Sequence, residues 1–260
     1  MLHGIDPLFA LSGLAVGLLV GFTGVGGGSL MTPLLVLAFG IHPATAVGTD
    51  LLYAGITKIS GGAVHAYHRT VDWRITRRLA YGSVPASLLS LLLLAHLGSA
   101  SQASGGIITT TLGAALILTA VMLIFRKTLL TRLVRALDGV SERTIGILTV
   151  VLGVVLGVLV TISSVGAGAI GATILLSLYP KLPIVRIVGS DIAHAVPLTL
   201  IAGAGHWWLG SVDWHMLVSL LVGSIPGIMV ASHFASRVPD RVLRPLVAGT
   251  LAIVGGRLAF

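Results

Sequence analysis

Apolar runs separated by short polar breaks make up most of the chain, at residues 8–22, 29–39, 43–67, 79–97, 104–125, 144–160, 169–179, 187–208, 214–234 and 242–260. Several approach or exceed the roughly 20 residues that a helix needs to cross hydrocarbon. The first run has the length of a secretory signal, but residues 1–6 carry no Lys or Arg and a run of the same kind recurs at 144–160. It is therefore read as part of the fold. The pattern predicts an all-α polytopic membrane protein.

The recurrence extends to individual strings. Shifting the chain over itself by about 140 residues lays Val25-Gly26-Gly27-Gly28 on Val165-Gly166-Ala167-Gly168 and Gly48-Thr49-Asp50 on Gly189-Ser190-Asp191. His65 then falls on His206, Val71-Asp72-Trp73 on Val212-Asp213-Trp214, and Gly82-Ser83-Val84-Pro85 on Gly223-Ser224-Ile225-Pro226. The matches keep one offset with a single one-residue slip. They divide a single membrane domain, 1–260, into repeat one at 7–125, a basic linker at 126–143 and repeat two at 144–260.

Each repeat reads as four segments, A to D, with A interrupted by a glycine-rich string. In repeat one the halves of A, 8–22 and 29–39, would reach only about 22 and 16 Å at 1.5 Å per residue, short of a hydrocarbon core of about 30 Å. Segment A either crosses as a broken helix or enters and returns as a hairpin, and charge separates the two. Of sixteen Lys and Arg, fourteen lie in loops: Arg69, Arg74, Arg77 and Arg78; Arg126, Lys127, Arg132, Arg135 and Arg143; Lys181 and Arg186; and Arg237, Arg241 and Arg244. Re-entrant hairpins in both repeats put all fourteen on the cytoplasmic side, whereas crossing segments split them between the two sides. The hairpin reading leaves three crossings per repeat, so the second repeat enters from the opposite face. The expected fold has two inverted-topology repeats, each with a re-entrant broken helix plus three transmembrane helices, giving six spans and both termini outside.

Composition agrees with this reading. Of 260 residues 55% are hydrophobic and 9% charged, far below the roughly 25% charged residues of soluble domains. The net charge of +8 follows the loops and forms no continuous basic stripe, so no nucleic-acid partner is expected. The absence of Cys removes disulfides, thiolate nucleophiles and Cys metal sites. No paired nucleophile and base suggests an enzyme, and no ATP-binding motif suggests a primary pump.

Candidate chemistry lies in the breaks and in segment B. Backbone that leaves the helix inside a bilayer must line protein or a watery cavity, and the half-helix after each break offers free N–H groups and a positive dipole end to an anion. Gly26, Gly27, Gly28 and Ser29 in repeat one, and Ser163, Ser164, Gly166, Ala167 and Gly168 in repeat two, are therefore expected to line a small-oxyanion site. Gly13, Gly17, Gly21, Gly153 and Gly157, spaced four apart, read instead as helix-packing positions. Asp50 and Asp191 are the acids embedded in apolar runs, at equivalent positions, and an intramembrane carboxylate usually marks function. Lys58, eight residues after Asp50 and on the same helix face, is either an attractor for the anion or half of an internal salt bridge. His194, one turn after Asp191, can titrate near neutral pH beside a carboxylate. His65 and His206 match across the repeats and either relay protons or sit at span ends. A metal site would need more, because Tyr53 replaces His194 in repeat one and no compact ligand quartet exists; neither metal nor cofactor is expected.

The strings Gly24 to Ser29 followed by Pro33, Gly48-Thr49-Asp50-Leu51-Leu52-Tyr53, His65 and Val71-Asp72-Trp73, with their second set, resemble the TauE/SafE sulfite exporter family over nearly the whole chain. The resemblance implies a bacterial inner-membrane transporter of sulfur-containing anions such as sulfite, thiosulfate or organosulfonates. Asp50 and Lys58 depart from what many members carry at those positions. The resulting expectation is a secondary transporter working by alternating access, with Asp50, Asp191, His194, His65 and His206 handling a coupling proton. The rival class is an anion channel using the same site without protons. The expected partners are the anion and the bilayer, with a homo-oligomer left open.

Overall fold

The computed structural model describes residues 5–23, 28–98, 101–166, 168–234 and 240–259, and all regular structure among them is helical. In chain order the helices are α1 (Pro7–Thr23), α2 (Gly28–Leu37), α3 (Pro43–Tyr67), α4 (Trp73–Leu97), α5 (Gln102–Ile124), α6 (Arg126–Ala136), α7 (Glu142–Ser163), α8 (Ala169–Leu178), α9 (Ile184–Trp208), α10 (Trp214–Phe234) and α11 (Asp240–Ala259). Helices α1 to α5 follow the four segments of the first repeat, with A in two pieces. The pattern recurs in α7 to α11, and the basic linker forms α6.

Polar residues at the breaks set the helix ends. The Asp72, Ser101 and Ser141 side chains accept hydrogen bonds from the Arg74, Ser104 and Thr144 N–H groups at 3.0, 3.1 and 3.2 Å, satisfying donors that the first turn leaves open. Helices α3 and α9 both end in a turn closed by a residue in the left-handed region, Arg69 (φ 54°) and Gly210 (φ 73°). There the Thr70 and Ser211 N–H groups reach back to the His65 and His206 carbonyls at 3.0 and 2.8 Å, a Schellman-type closure.

The main packing pairs run between the repeats: α1 with α10, α4 with α7, α3 with α9, and α5 with α11. The spaced glycines allow the closest approaches. A Cβ on Gly13 or Gly17 would sit 2.2 or 2.6 Å from the Leu220 or Ser224 carbonyl oxygen, and one on Gly153 or Gly157 would sit 2.2 or 2.5 Å from that of Leu79 or Ser83. These positions carry backbone-to-backbone contact, the small-residue packing expected where no hydrophobic effect drives helices together.

The same contacts fix direction. Residue numbers rise together along α1 and α10 and along α4 and α7, so these pairs are parallel. Gly48 meets His206, Gly203 meets Leu52, Gly55 meets Leu200 and Gly189 meets His65, so α3 and α9, the equivalent helices of the two repeats, run antiparallel. Helix α9 is parallel to α4, since Asp72, Ser83 and Leu91 meet Ser190, His194 and Gly205 in that order. Helices α7 and α9 therefore point the same way, and α8 between them runs back.

Each short half-helix is tucked inside the bundle. Met31 and Leu35 of α2 lie in one apolar cluster with Val16, Leu52, Tyr53 and Leu220, while Ile170, Leu175 and Leu178 of α8 lie in another with Ile75, Leu79, Leu156 and Ile187. The two clusters are built from equivalent helices.

Among the described residues, five helices are long and apolar enough to cross a membrane: Trp73–Leu97, Gln102–Ile124, Glu142–Ser163, Ile184–Trp208 and Trp214–Ala231. The expected six are α3, α4, α5, α9, α10 and α11, so three helices differ: α7 is added, α3 drops out, and of α11 only the shorter apolar stretch Ala248–Leu258 is found among the described residues. Helix α7, with 22 residues, is long enough to cross, because its cap lies at Ser141 and its far end carries on through Thr161 to Ser163. Helix α3 has the length, with 25 residues, but Asp50, Lys58 and its hydroxyl residues dilute its apolar character.

Candidate functional site

The strings shared by the two repeats are one reciprocal device. Gly48 and Gly189 let the turn that follows the opposite histidine close down on them: a Cβ on Gly48 would lie 2.1 Å from the Ser211 carbonyl oxygen, and one on Gly189 2.6 Å from that of Thr70. The next residue completes the joint. The Asp213 N–H donates to Thr49 Oγ1 at 3.0 Å, and the Asp72 N–H donates to Ser190 Oγ at 2.8 Å. These two aspartates cap α10 and α4, through Met216 and Arg74. The device fixes the α3–α9 crossing and thereby the third residue of each string, Asp50 and Asp191.

Both carboxylates are buried, at 0% and 3% exposure, and each faces the half-helix of its own repeat. Asp50 accepts a short hydrogen bond from the Thr32 hydroxyl of α2. Asp191 lies against the Gly168 amide at the start of α8, so close to α8 that a Cβ on Gly171 would sit 2.5 Å from Asp191 Oδ1. Asp191 Oδ1 has no hydrogen-bond partner among the described residues. Asp50 Oδ1 and the buried Ser164 Oγ make no hydrogen bond of good geometry, although the Ser164 hydroxyl is close enough to interact with the Asp50 carboxylate. A buried charged oxygen without a partner is costly.

Lys58 stands between them. The register of α3 on α9 puts its centre near Thr57 and Leu198, so Lys58 lies at the middle of the crossing, about 12 Å along α3 from Asp50. Lys58 as a whole is half-buried, and its ammonium interacts electrostatically with both carboxylates, more with Asp191 than with Asp50. The equivalent residue in α9 is the neutral Thr199, whose hydroxyl donates to the Ala195 carbonyl at 2.9 Å. The cation is thus single while the acids are paired.

Three residues after each aspartate the scaffold is again symmetric and the chemistry is not. Tyr53 shares a 2.6 Å hydrogen bond with Ser224 of α10, and His194 Nε2 a 2.8 Å one with Ser83 of α4. His206 Nε2 lies 2.9 Å from the Thr161 carbonyl, so that nitrogen carries the proton, and the Thr161 hydroxyl continues to Ser87 at 2.7 Å. The second nitrogens of His194 and His206 are buried without partners among the described residues. His65 sits in the last turn of α3, with Nδ1 2.8 Å from Thr70 Oγ1 and its ring partly exposed.

The second break is organised by hydroxyls and glycine. The Ser163 hydroxyl donates to the Leu159 carbonyl at 2.6 Å. Ser164 ends α7 in the left-handed region, and Gly168 starts α8 at φ 115°, a value suited to glycine. In repeat one Gly28 opens α2 and Ser29 is buried in it. Gly26, Gly27 and Ala167 lie outside the described residues. Among those described, no three His, Cys, Asp or Glu side chains gather as a metal site would require. A separate cavity of about 400 Å³ opens near the linker, lined by Arg74, Arg78, Lys181, Asp72, Asp138 and Glu142 among others. Its balanced charges give no preference for anions.

Thr32, Thr49 and Ser190 were not singled out as site residues by the sequence. Thr49 and Ser190 left a signal, a hydroxyl at the same place in both repeats, whereas Thr32 is one hydroxyl in an apolar run.

Residues 9–258 match the family model described as "Sulfite exporter TauE/SafE". The chain is 38% identical over 252 residues to "Probable membrane transporter protein YjnA" of Bacillus subtilis, covering 95% of this chain and 97% of that one. It is 29% identical over 254 residues to "Probable membrane transporter protein YdhB" of the same organism, covering 94% and 96%. To "Probable membrane transporter protein MJ0441" of Methanocaldococcus jannaschii it is 25% identical over 268 residues, covering 96% and 93%. No solved structure matches.

Proposed function

From the premise that the chain belongs to the sulfite exporter TauE/SafE family of multi-pass membrane proteins, we propose that it is a secondary transporter of a small sulfur-containing oxyanion, coupled to protons. The observation that carries this reading is the buried set of two repeat-related carboxylates with one cation between them, seated at the half-helices. Intramembrane acids that face a bundle interior usually mark ion pathways.

In this reading the repeats are inverted and lie in a bacterial inner membrane with the basic loops in the cytoplasm. The antiparallel run of α3 and α9 supports this, as does the return of α8 between two helices that point the same way. Alternating access would exchange the conformations of the halves about the α3–α9 crossing. Lys58 would attract the anion, with Ser164 and the backbone after Gly28 and Gly168 offering donors. Asp50 and Asp191, with His194 beside one of them, would take the proton.

Purified protein in vesicles provides the test. Uptake of sulfite or an organosulfonate is expected to follow an imposed pH gradient, and Asp50→Asn or Asp191→Asn is expected to change its pH profile. Uptake indifferent to the gradient and to both substitutions would overturn the coupling and indicate a channel.

A further inference from the structure

The charges at the centre form a closed set whose sum constrains what can bind. Among the described residues the fixed charges there are Asp50, Asp191 and Lys58. Helices α1, α2, α5 and α8 carry no Asp, Glu, Lys, Arg or His within their bounds. Those of α4 and α7 lie in the first two turns or the last, those of α10 are His215, its second residue, and His233, its next-to-last, and those of α11 lie in its first two turns or its last. On α9, Arg186 is at the start, paired with Asp72 at 3.4 Å. His194 and His206 are held through one nitrogen by neutral partners, Ser83 and the Thr161 carbonyl.

With both acids ionised the set carries one net negative charge in surroundings that penalise it. It also repels an incoming anion, because the half-helix positions where anionic oxygens would bind already face carboxylates. Two arrangements balance. In one, a carboxylate is protonated and Lys58 neutralises the other. In the second, both carboxylates are protonated and Lys58 neutralises a bound ion of charge −1.

Resting on the transporter reading above, we propose that the site takes a monovalent oxyanion together with one proton: Lys58 passes from an Asp carboxylate to the anion, and the carboxylate it leaves accepts the proton. The charge of the site is zero before and after, so transport moves no net charge. A sulfonate or bisulfite fits this balance, while a dianion such as sulfate or thiosulfate leaves one charge uncompensated. Lys58 can serve either acid because it sits at the middle of the crossing.

Vesicles with a potassium diffusion potential set by valinomycin and an internal pH dye test the proposal, with methanesulfonate, sulfite, sulfate and thiosulfate as probes. Methanesulfonate is expected to accumulate down a proton gradient, one proton per anion, at a rate unchanged when the potential is reversed; sulfate and thiosulfate should move at least tenfold more slowly. Lys58→Gln should abolish flux and Lys58→Arg restore it, which a merely structural ion pair would not require. In Asp50→Asn/Asp191→Asn, where both acids are replaced by neutral isosteres, methanesulfonate flux should ignore the pH gradient and follow the potential instead. Wild-type methanesulfonate flux that follows the potential, dianions moved as fast as monoanions, or proton coupling that persists in the double variant would overturn the inference while leaving the transporter reading intact. No flux of any of the four anions would overturn both.

Discussion

Adding one methyl group at Gly48 tests whether the shared strings act as the joint between the repeats. In the structure that methyl would lie 2.1 Å from the Ser211 carbonyl oxygen and 2.9 Å from the His206 Cβ. Backbone lies on one side and a buried side chain on the other, so the α3–α9 crossing must open by about 1 Å to restore ordinary contact. Such overpacking costs about 1–3 kcal/mol. The displaced turn also gives up the Asp213 N–H to Thr49 hydrogen bond, worth about 1 kcal/mol. Against this, Ala is better than Gly within a helix by up to about 1 kcal/mol. The net is a loss of about 1–3 kcal/mol, and at roughly 2–4 °C per kcal/mol for a chain of this size the thermal midpoint in detergent should fall by about 2–12 °C. Gly106→Ala in α5, where nothing lies within 4 Å of the new methyl, gains the helix preference without the clash and should raise the midpoint. If Gly48→Ala is as stable as Gly106→Ala, the reciprocal joint is not what these glycines provide.

Further outcomes are expected from other parts of the structure. Gly168→Ala forces a side chain onto a backbone at φ 115° and should cost about 1–3 kcal/mol, read as a lower thermal midpoint. Thr32→Val removes the hydroxyl that donates to Asp50 and should cost about 1.5–3 kcal/mol, the range for bonds to charged groups, with Thr32→Ser recovering most of it. Because the chain has no Cys, single thiols report sidedness: Ala38→Cys and Lys181→Cys, in the equivalent loops after α2 and α8, should react with a membrane-impermeant maleimide from opposite faces. Reaction from the same face would refute the inverted arrangement.

The all-helical membrane fold and the order of its helices were legible in the sequence, because apolar run length is a property of the linear chain. The packing role of Gly13, Gly17, Gly21, Gly153 and Gly157 was legible for the same reason, since four-residue spacing is already a statement about one helix face. What the strings did for each other was not. Thr49 and Asp213 are distant in sequence and belong to different repeats, and no periodicity marks their hydrogen bond. The same holds for Tyr53 with Ser224 and His194 with Ser83. Glycine-rich breaks suggested an open anion site, but segment B brings a carboxylate to each half-helix, a neighbour visible only once α3 and α9 are folded onto α2 and α8.

The interleaving of the repeats also bears on how the chain reaches this state. Helix α1 has its main partner in α10 and α4 has its partner in α7, so during synthesis α1 waits for the eight helices between them before its glycine face is covered. Neither half can bury its own surfaces, and a chain stopped within α6 would leave α1, α3, α4 and α5 each without the helix it packs against. The linker then has little to do with holding the halves together, since the interfaces do that. Two fragments divided at α6 and made in the same membrane should find each other and assemble, whereas either alone should be cleared as unfolded protein.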